Sequence, residues 1–135
     1  MKIKLINFGY KEAPLRAHAN DAGADVYALK SYTLEPHTTT KVGLGFGLEL
    51  PDGYMACIYP RSGLSAKGIV CELPPIDSGY RGEVHAIVSN ISDVPYFIGP
   101  DDRIGQLVVT PVVIAEFIDY DIEKRGTGAF ASTGK

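Results

Sequence analysis

The chain of 135 residues is long enough for one domain with a buried core and too short for two. Its 13 basic and 16 acidic side chains give a formal charge of -3, which argues against a duplex nucleic-acid partner, because such proteins present a basic face. No apolar run has the length of a membrane span or forms a signal peptide, and the two cysteines lack the spacing of a zinc site. We therefore expect a cytoplasmic protein with free thiols, bound to neither membrane nor nucleic acid.

Large apolar residues alternate with small or polar ones over residues 42–50, which predicts a strand with one buried face. Glycines on the opposite face indicate that another backbone approaches closely there. Residues 51–54 then predict a turn. The buried face would consist of Val42, Leu44, Phe46, Leu48 and Leu50.

Other short apolar runs, separated by turn residues, predict strands at 55–59, 84–88, 103–110 and 112–118. Residues 62–66 are suited to a single helical turn. The 15 glycines and 9 prolines, with no sustained helical repeat, indicate an all-β sandwich, jelly roll or barrel. Residues 125–135 carry Phe130 as their one large apolar side chain and predict a mobile tail, whose arginine and hydroxyl groups suit a phosphate.

A hairpin-like run, Pro74-Pro-Ile-Asp-Ser-Gly-Tyr-Arg-Gly-Glu83, provides the best functional signal. Proline fixes φ and glycine permits sharp bends, so the run can hold Asp77 as a general base and Tyr80 as an aromatic platform. Alternatively, Asp77 forms a turn and Tyr80 packs in the core.

Four further runs carry complementary chemistry. Arg61, Ser62 and Gly63 form either a plain turn or a phosphate cradle. Asp25 is either a solvated turn acid or a partner of metal-bound water. Gln106 lies in an apolar strand, where its amide must find hydrogen bonds from a ligand or a neighbouring backbone group. The runs are Asp21-Ala-Gly-Ala-Asp25, Pro60-Arg-Ser-Gly-Leu64, Arg103-Ile-Gly-Gln106 and Arg125-Gly-Thr-Gly-Ala-Phe-Ala-Ser-Thr-Gly134.

In this order the five runs resemble the motifs of the trimeric dUTP pyrophosphatases, or dUTPases, from Asp21 to Gly134. The resemblance implies a jelly-roll fold with one domain over residues 1–135. It also implies a homotrimer in which each site is built from all three subunits, with the tail at 125–135 as a lid. The implied reaction is hydrolysis of dUTP to dUMP and pyrophosphate, which limits uracil in DNA and supplies dUMP for thymidylate synthesis.

The same resemblance implies roles for individual residues. Asp77 activates the water that attacks the α-phosphorus, and Tyr80 lies against the deoxyribose and excludes a 2′-hydroxyl. Mg²⁺ is held by the substrate phosphates, and Asp25 contacts it only through water. The implied substrate contacts are the hairpin around Cys71, Pro75 and Ile76 for uracil, Arg61, Ser62 and Gly63 for the α- and β-phosphates, Gln106, Ser132 and Thr133 for the γ-phosphate, Phe130 stacked on the base, and Arg125 as an arginine finger.

This chain departs from the family pattern at Cys71 and Pro74, where an asparagine and a glycine are usual. A thiol cannot replace an amide that both donates and accepts, so either backbone groups select uracil or the specificity is altered. Two other functions are compatible with the motifs. A dCTP deaminase of the same superfamily would use a glutamate such as Glu72, and a nucleotide sensor would bind without catalysis.

Overall fold

The computed structural model describes residues 1–121, which form ten strands and one helical turn. Within them no helix has the length and apolar character to cross a membrane. The all-β prediction is confirmed. The elements are β1 Lys4–Asn7, β2 Ala24–Tyr27, β3 Tyr32–Leu34, β4 Thr38–Gly43, β5 Phe46–Glu49, β6 Tyr54–Tyr59, α1 Ser62–Ser65, β7 Ile69–Glu72, β8 His85–Asn90, β9 Tyr96–Ile98 and β10 Arg103–Pro111.

The strands pair in four small antiparallel groups around one hydrophobic core. The groups are β1–β5, β2–β10–β6, β3–β9 and β4–β8–β7. Most partners are distant in sequence, as in β10 with β2, so the fold depends on long-range pairing. The largest fully buried side chains of the core are Phe46, Leu34, Leu48, Ile69, Ile98 and Ile104.

The buried face predicted for residues 42–50 is confirmed, but the single strand is not. All five predicted side chains are buried, whereas the strand is interrupted between β4 and β5. Gly45 adopts φ +80°, and its carbonyl oxygen accepts the N–H groups of Phe8 and Tyr10 at 2.8 and 3.1 Å. A Cβ on Gly45 would lie 2.9 Å from the Tyr10 nitrogen, so the glycine accommodates the close backbone approach predicted from its spacing.

The strand predicted at 112–118 is wrong. Regular pairing ends at Pro111, and the N–H of Val112 donates to the Gly53 carbonyl at 2.8 Å in the β5–β6 turn. Beyond that bond the apolar side chains lie exposed, including Phe117 at 94%. The β propensity of this segment is real, but a strand requires a neighbour, and residues 1–121 of the same chain provide none beside it.

Strand β6 connects the two regions that carry the functional motifs. Its last residue, Tyr59, pairs with Gln106 of β10. Three residues earlier, Ala56 forms an isolated bridge with Ile76, in which each N–H donates to the other carbonyl at 3.1 and 2.7 Å. The hairpin is therefore attached to the same strand that leads into α1, whose position at Ser62–Ser65 confirms the predicted helical turn.

Candidate active site

A first group of polar side chains lies where β2, β10 and β6 meet, and we call Asp25, Arg61, Arg103 and Gln106 the sheet cluster. Gln106 stands opposite Asp25 on one side and Tyr59 on the other. The Arg103 Nη1 lies 3.4 Å from Asp25 Oδ2, and the Arg61 Nη1 donates to the Arg103 carbonyl at 3.2 Å. Strand register thus places Asp25, Arg103 and Gln106 near one another, and the bond to the Arg103 carbonyl adds the guanidinium group of Arg61.

Gly23 makes room for the amide of this cluster. A Cβ at position 23 would lie 2.8 Å from Cβ of Gln106 and 2.9 Å from its Cδ, closer than real contacts allow. The Gln106 Nε2 donates to the Pro60 carbonyl at 3.4 Å, which satisfies one of its hydrogen-bonding groups. The run Asp21–Asp25 and the run Arg103–Gln106 therefore depend on each other, because Gly23 leaves the space that the Gln106 side chain fills.

Ser62 and Gly63 begin the helical turn directly after Arg61 and are exposed to solvent. Arg61 has extended backbone angles and makes no side-chain cap to the helix. A cavity of about 630 Å³ opens beside Arg61 and Arg103. The arginines and the exposed start of α1 together can accept an anion of phosphate size.

A second, smaller cavity of about 180 Å³ lies in front of the hairpin, and we call it the hairpin cavity. Asp77 and Tyr80 both line it, so the structure brings together the acid and the ring that the sequence places three residues apart. Asp77 is exposed, and 45% of Tyr80 is accessible to solvent. The other lining residues are Ile58, Glu72, Pro74, Pro75, Ile76 and His85.

Side-chain hydrogen bonds to backbone carbonyls hold the hairpin in shape. The Arg81 Nη1 donates to the carbonyls of Ser78 and Leu48, and the Ser78 hydroxyl donates to Asp52 at 3.3 Å. The Tyr80 N–H closes the turn on the Asp77 carbonyl at 3.1 Å. These contacts fix the carboxylate relative to β5 and β6.

The Tyr80 hydroxyl is occupied by a contact to the backbone, since it donates to the Glu83 carbonyl at 2.8 Å. A Cβ at Gly82 would lie 2.7 Å from Cζ of Tyr80, so the ring packs directly over this glycine. The ring therefore presents its surface to the cavity while its polar tip is bound elsewhere. This geometry suits a platform and not a proton donor to a ligand.

Cys71 is not brought into the hairpin cavity. It pairs with Val88 across β7 and β8 and packs against the core. Burial, and then the neighbouring Glu72 carboxylate, raise the pKa of the Cys71 thiol from 9.0 to about 11. Burial also raises the pKa of Cys57. Both thiols are therefore protonated at neutral pH, and neither is an activated nucleophile.

Two residues of the site, Arg103 and His85, are given no individual role by the motifs, although Arg103 begins one of the five runs. Arg103 pairs with Asp25, and His85 lines the hairpin cavity. A charged residue at the start of an apolar strand, as at Arg103, is a usable signal in the sequence. His85 lies two residues beyond the hairpin run, and only the folded structure shows that it lines the hairpin cavity.

Within residues 1–121 the sheet cluster and the hairpin cavity are separate, and the cavity beside Arg61 and Arg103 shares no lining residue with the hairpin cavity. Ala56 and Tyr59, to which they attach, are three residues apart on β6, or about 10 Å at the rise of a strand. Four predicted substrate contacts, Arg125, Phe130, Ser132 and Thr133, lie outside the described residues, as does the predicted lid at 125–135.

Comparison with known proteins identifies the family. A family model described as dUTPase matches residues 9–134. The deoxyuridine 5′-triphosphate nucleotidohydrolase of Leifsonia xyli is 44% identical over 131 residues, covering 92% of this chain and 86% of the relative. That of Gloeobacter violaceus is 43% identical over 129 residues, covering 90% and 88%.

Solved structures agree on the fold. An Asp-to-Asn mutant dUTPase from phage phi11 of S. aureus, described as coordinating a structural Mg(II) ion, superposes with a TM-score of 0.85 at 23% identity, covering 90% of this chain and 98% of that one. The dUTPase of Staphylococcus bacteriophage 80alpha gives 0.84 at 24% identity, covering 90% and 97%. The described strands thus have the jelly-roll-like fold of these enzymes, and by its sequence the chain belongs to the dUTPase family.

Proposed function

We propose that the protein hydrolyses dUTP to dUMP and pyrophosphate, with Asp77 as the general base. The observation that carries this proposal is the cavity that Asp77 and Tyr80 line together, in a hairpin bridged to β6 at Ala56. The sheet cluster lies at the other end of β6, where Gln106 pairs with Tyr59. Family membership supports the same reaction, because the curated relatives are named as deoxyuridine triphosphate nucleotidohydrolases.

In the proposed mechanism, a water molecule is positioned by the Asp77 carboxylate. Its oxygen attacks the α-phosphorus while a proton passes to Asp77, and the bond from the α-phosphorus to the bridging oxygen breaks to release pyrophosphate. A base in this role contributes about 10²–10⁴ in rate. The bonds from Arg81 to the Ser78 carbonyl and from the Ser78 hydroxyl to Asp52 support this role, since a general base acts only when held within hydrogen-bonding reach of its water.

Tyr80 is proposed to select the deoxyribose. Its hydroxyl is bound to Glu83 and its ring faces the cavity, so contact with the sugar would be through the ring. A 2′-hydroxyl would lose its hydrogen bonds to water against an aromatic surface and would collide with it, which disfavours UTP.

Uracil is proposed to bind backbone groups of residues 71–76, which lead from β7 into the hairpin. Pro74 and Pro75 have no N–H, and the N–H of Ile76 donates to Ala56. The donors available to the base oxygens are therefore those N–H groups of residues 71–73 that the pairing of β7 with β8 leaves open. Pro75 and Ile76 contribute apolar walls to the cavity.

The triphosphate is proposed to bind the sheet cluster and the start of α1, with Arg61, Ser62 and Gly63 on the α- and β-phosphates and Gln106 on the γ-phosphate. Ser132, Thr133, Phe130 and Arg125 would close over the substrate from the tail. Guanidinium groups suit phosphate because they donate in pairs and stay charged.

Mg²⁺ is proposed as the metal that the substrate brings. Within residues 1–121 no group of three His, Cys, Asp or Glu side chains could hold an ion, whereas Asp25 has the carboxylate oxygens that Mg²⁺ prefers. The residues present thus fit an ion held by the phosphates and reached by Asp25 through water. When bound, Mg²⁺ would neutralise charge on the departing pyrophosphate.

We further propose that one site combines the hairpin cavity of one copy with the sheet cluster of another in a homotrimer. The two regions attach to β6 at different residues and share no cavity within residues 1–121, which supports this arrangement. Closed threefold symmetry would then give three equivalent sites.

The test is to incubate the protein with Mg²⁺ and dUTP, dCTP, dTTP or UTP in parallel and to separate the nucleotides and pyrophosphate by chromatography. We expect dUMP and pyrophosphate from dUTP alone. Formation of dUTP or dUMP from dCTP would instead indicate a deaminase, with Glu72 of the hairpin cavity as the candidate residue that activates water. Tight binding without any product would indicate a sensor.

A further inference from the structure

His85 lies in the hairpin cavity beside Asp77 and Tyr80 but belongs to none of the five runs. It is the first residue of β8, and only 24% of its side chain is exposed. A largely buried imidazole at a ligand cavity requires specific partners, because an unpaired polar group would be costly there.

One backbone oxygen connects His85 to Tyr80. The Nδ1 of His85 lies 3.0 Å from the carbonyl oxygen of Glu83, to which the Tyr80 hydroxyl donates at 2.8 Å. Because a carbonyl oxygen only accepts, Nδ1 is the nitrogen that carries a proton in this contact. Two donors on a single acceptor hold that peptide group from both sides.

Glu83 is also held in place by its side chain. Its Oε2 accepts the N–H of Gly45 at 2.9 Å, and a Cβ at Gly43 would lie 2.7 Å from that oxygen. The glycine-rich break between β4 and β5 thus makes room for the carboxylate. The Nε2 of His85 is 3.7 Å from Oε1, beyond hydrogen-bonding distance, so the contact through Nδ1 is the specific one.

We propose that His85 is a positioning residue for sugar selection. Through the Glu83 carbonyl it fixes the Tyr80 ring over Gly82, so that the ring stays in the place a 2′-hydroxyl would occupy. This inference rests on the proposed function, and in particular on contact between Tyr80 and deoxyribose. A ring that is free to swing aside admits the larger sugar, and discrimination falls.

The experiment measures kcat and KM for dUTP and UTP in His85→Asn, His85→Gln and His85→Ala. The side-chain amide of Asn places its nitrogen where Nδ1 stands, whereas that of Gln reaches the position of Nε2. His37→Asn is the matched control, because His37 is an exposed histidine bonded to Asp93 near the other end of β8. Thermal unfolding of each variant checks that it is folded.

We expect the ratio of kcat/KM for dUTP to that for UTP to fall about tenfold in His85→Ala and His85→Gln, as for the loss of one hydrogen bond. His85→Asn should retain the wild-type ratio, because it restores the donor to Glu83. The change should come from a gain in UTP turnover, and His37→Asn should have no effect on the ratio.

An unchanged ratio in folded His85→Ala would overturn the inference, as would an equal fall in His85→Asn and His85→Ala. Equal losses for both nucleotides would also contradict it, because they would indicate a general structural role. A wild-type protein that cleaves no nucleotide contradicts the proposed function itself, and the inference then fails with it. The two failures are thus distinguished by the wild-type rate on dUTP.

Discussion

The sheet cluster and the hairpin cavity hold their functional side chains by different means. In the sheet cluster, strand register places Gln106 between Asp25 and Tyr59, so the backbone ladder does most of the positioning. In the hairpin, side chains bind carbonyl oxygens, as Arg81 does at Ser78 and Tyr80 does at Glu83. The sheet cluster should therefore be sensitive to added volume, whereas the hairpin should be sensitive to the loss of single donors.

This difference also accounts for what the sequence could predict. Alternation identifies the buried face of 42–50, and a polar Gln106 in an apolar strand marks a residue with a specific partner. Side chains alternate between the two faces of a strand with a period of two, and this period can be seen in the sequence. The hydrogen bonds of the hairpin depend on its folded shape. The two bonds that connect His85 and Tyr80 through the Glu83 carbonyl therefore have no signature in the sequence.

The error at residues 112–118 has a related cause. The segment has the composition of a strand, but pairing depends on what lies beside it, and its apolar side chains are exposed in the described chain. The break at Gly45 was likewise not predicted, since alternation continues unbroken through it. Local pattern predicts which face is buried better than it predicts where a strand ends.

The largest expected effect is on the hairpin side. Asp77→Asn keeps the size of the side chain but removes the base, so we expect kcat to fall by about 10²–10⁴ while the affinity for dUTP stays within a few-fold. Rapid-quench turnover and isothermal titration measure the two quantities. Asp93→Asn, at a side chain that is 94% exposed, is the matched control. Wild-type turnover by Asp77→Asn would eliminate the proposed mechanism.

Loss of the Arg81 donor should have the next largest effect. Arg81→Ala removes the bonds to the carbonyls of Ser78 and Leu48, so the Asp77 carboxylate loses its fixed position. We expect kcat to fall about 10- to 100-fold, as for misplacement of a catalytic group. Arg81→Lys, which keeps the charge but has a different donor geometry, should recover only part of this rate. Full activity in Arg81→Ala would show that the hairpin is rigid without it.

Added volume should affect the sheet cluster. Gly23→Ala places a methyl group against Gln106, and we expect a loss of about 1–3 kcal/mol in the free energy of unfolding, with a raised KM for dUTP. Denaturant titration and initial rates measure these effects. Gly79→Ala is the control for the unfolding measurement, because the Cβ position of Gly79 is open and its φ is not positive. It is not used for KM, because Gly79 lies between Asp77 and Tyr80. Equal effects of both substitutions would contradict the packing argument.

The smallest effect concerns the Cys71 thiol. Its pKa is raised in the folded protein, so the unfolded chain loses its thiol proton first, from about pH 9.0, and the folded state retains it to about 11. Stability relative to Cys71→Ser should therefore be unaffected below this range and should fall as pH rises through it. Urea unfolding at pH 8, 9 and 10 measures the difference. A difference that is constant with pH would mean that the thiol is not desolvated.

The central claim, that one site joins the hairpin of one copy to the sheet cluster of another, is tested most directly by mixing Asp77→Asn with Arg61→Ala. Each variant alone has one damaged half in every site. After subunit exchange at equal amounts, cyclic trimers should contain about one quarter of sites with both halves intact, so activity should rise well above the sum of the separate variants. No recovery, with exchange verified by mass spectrometry of differently tagged chains, would show that each site lies within a single copy.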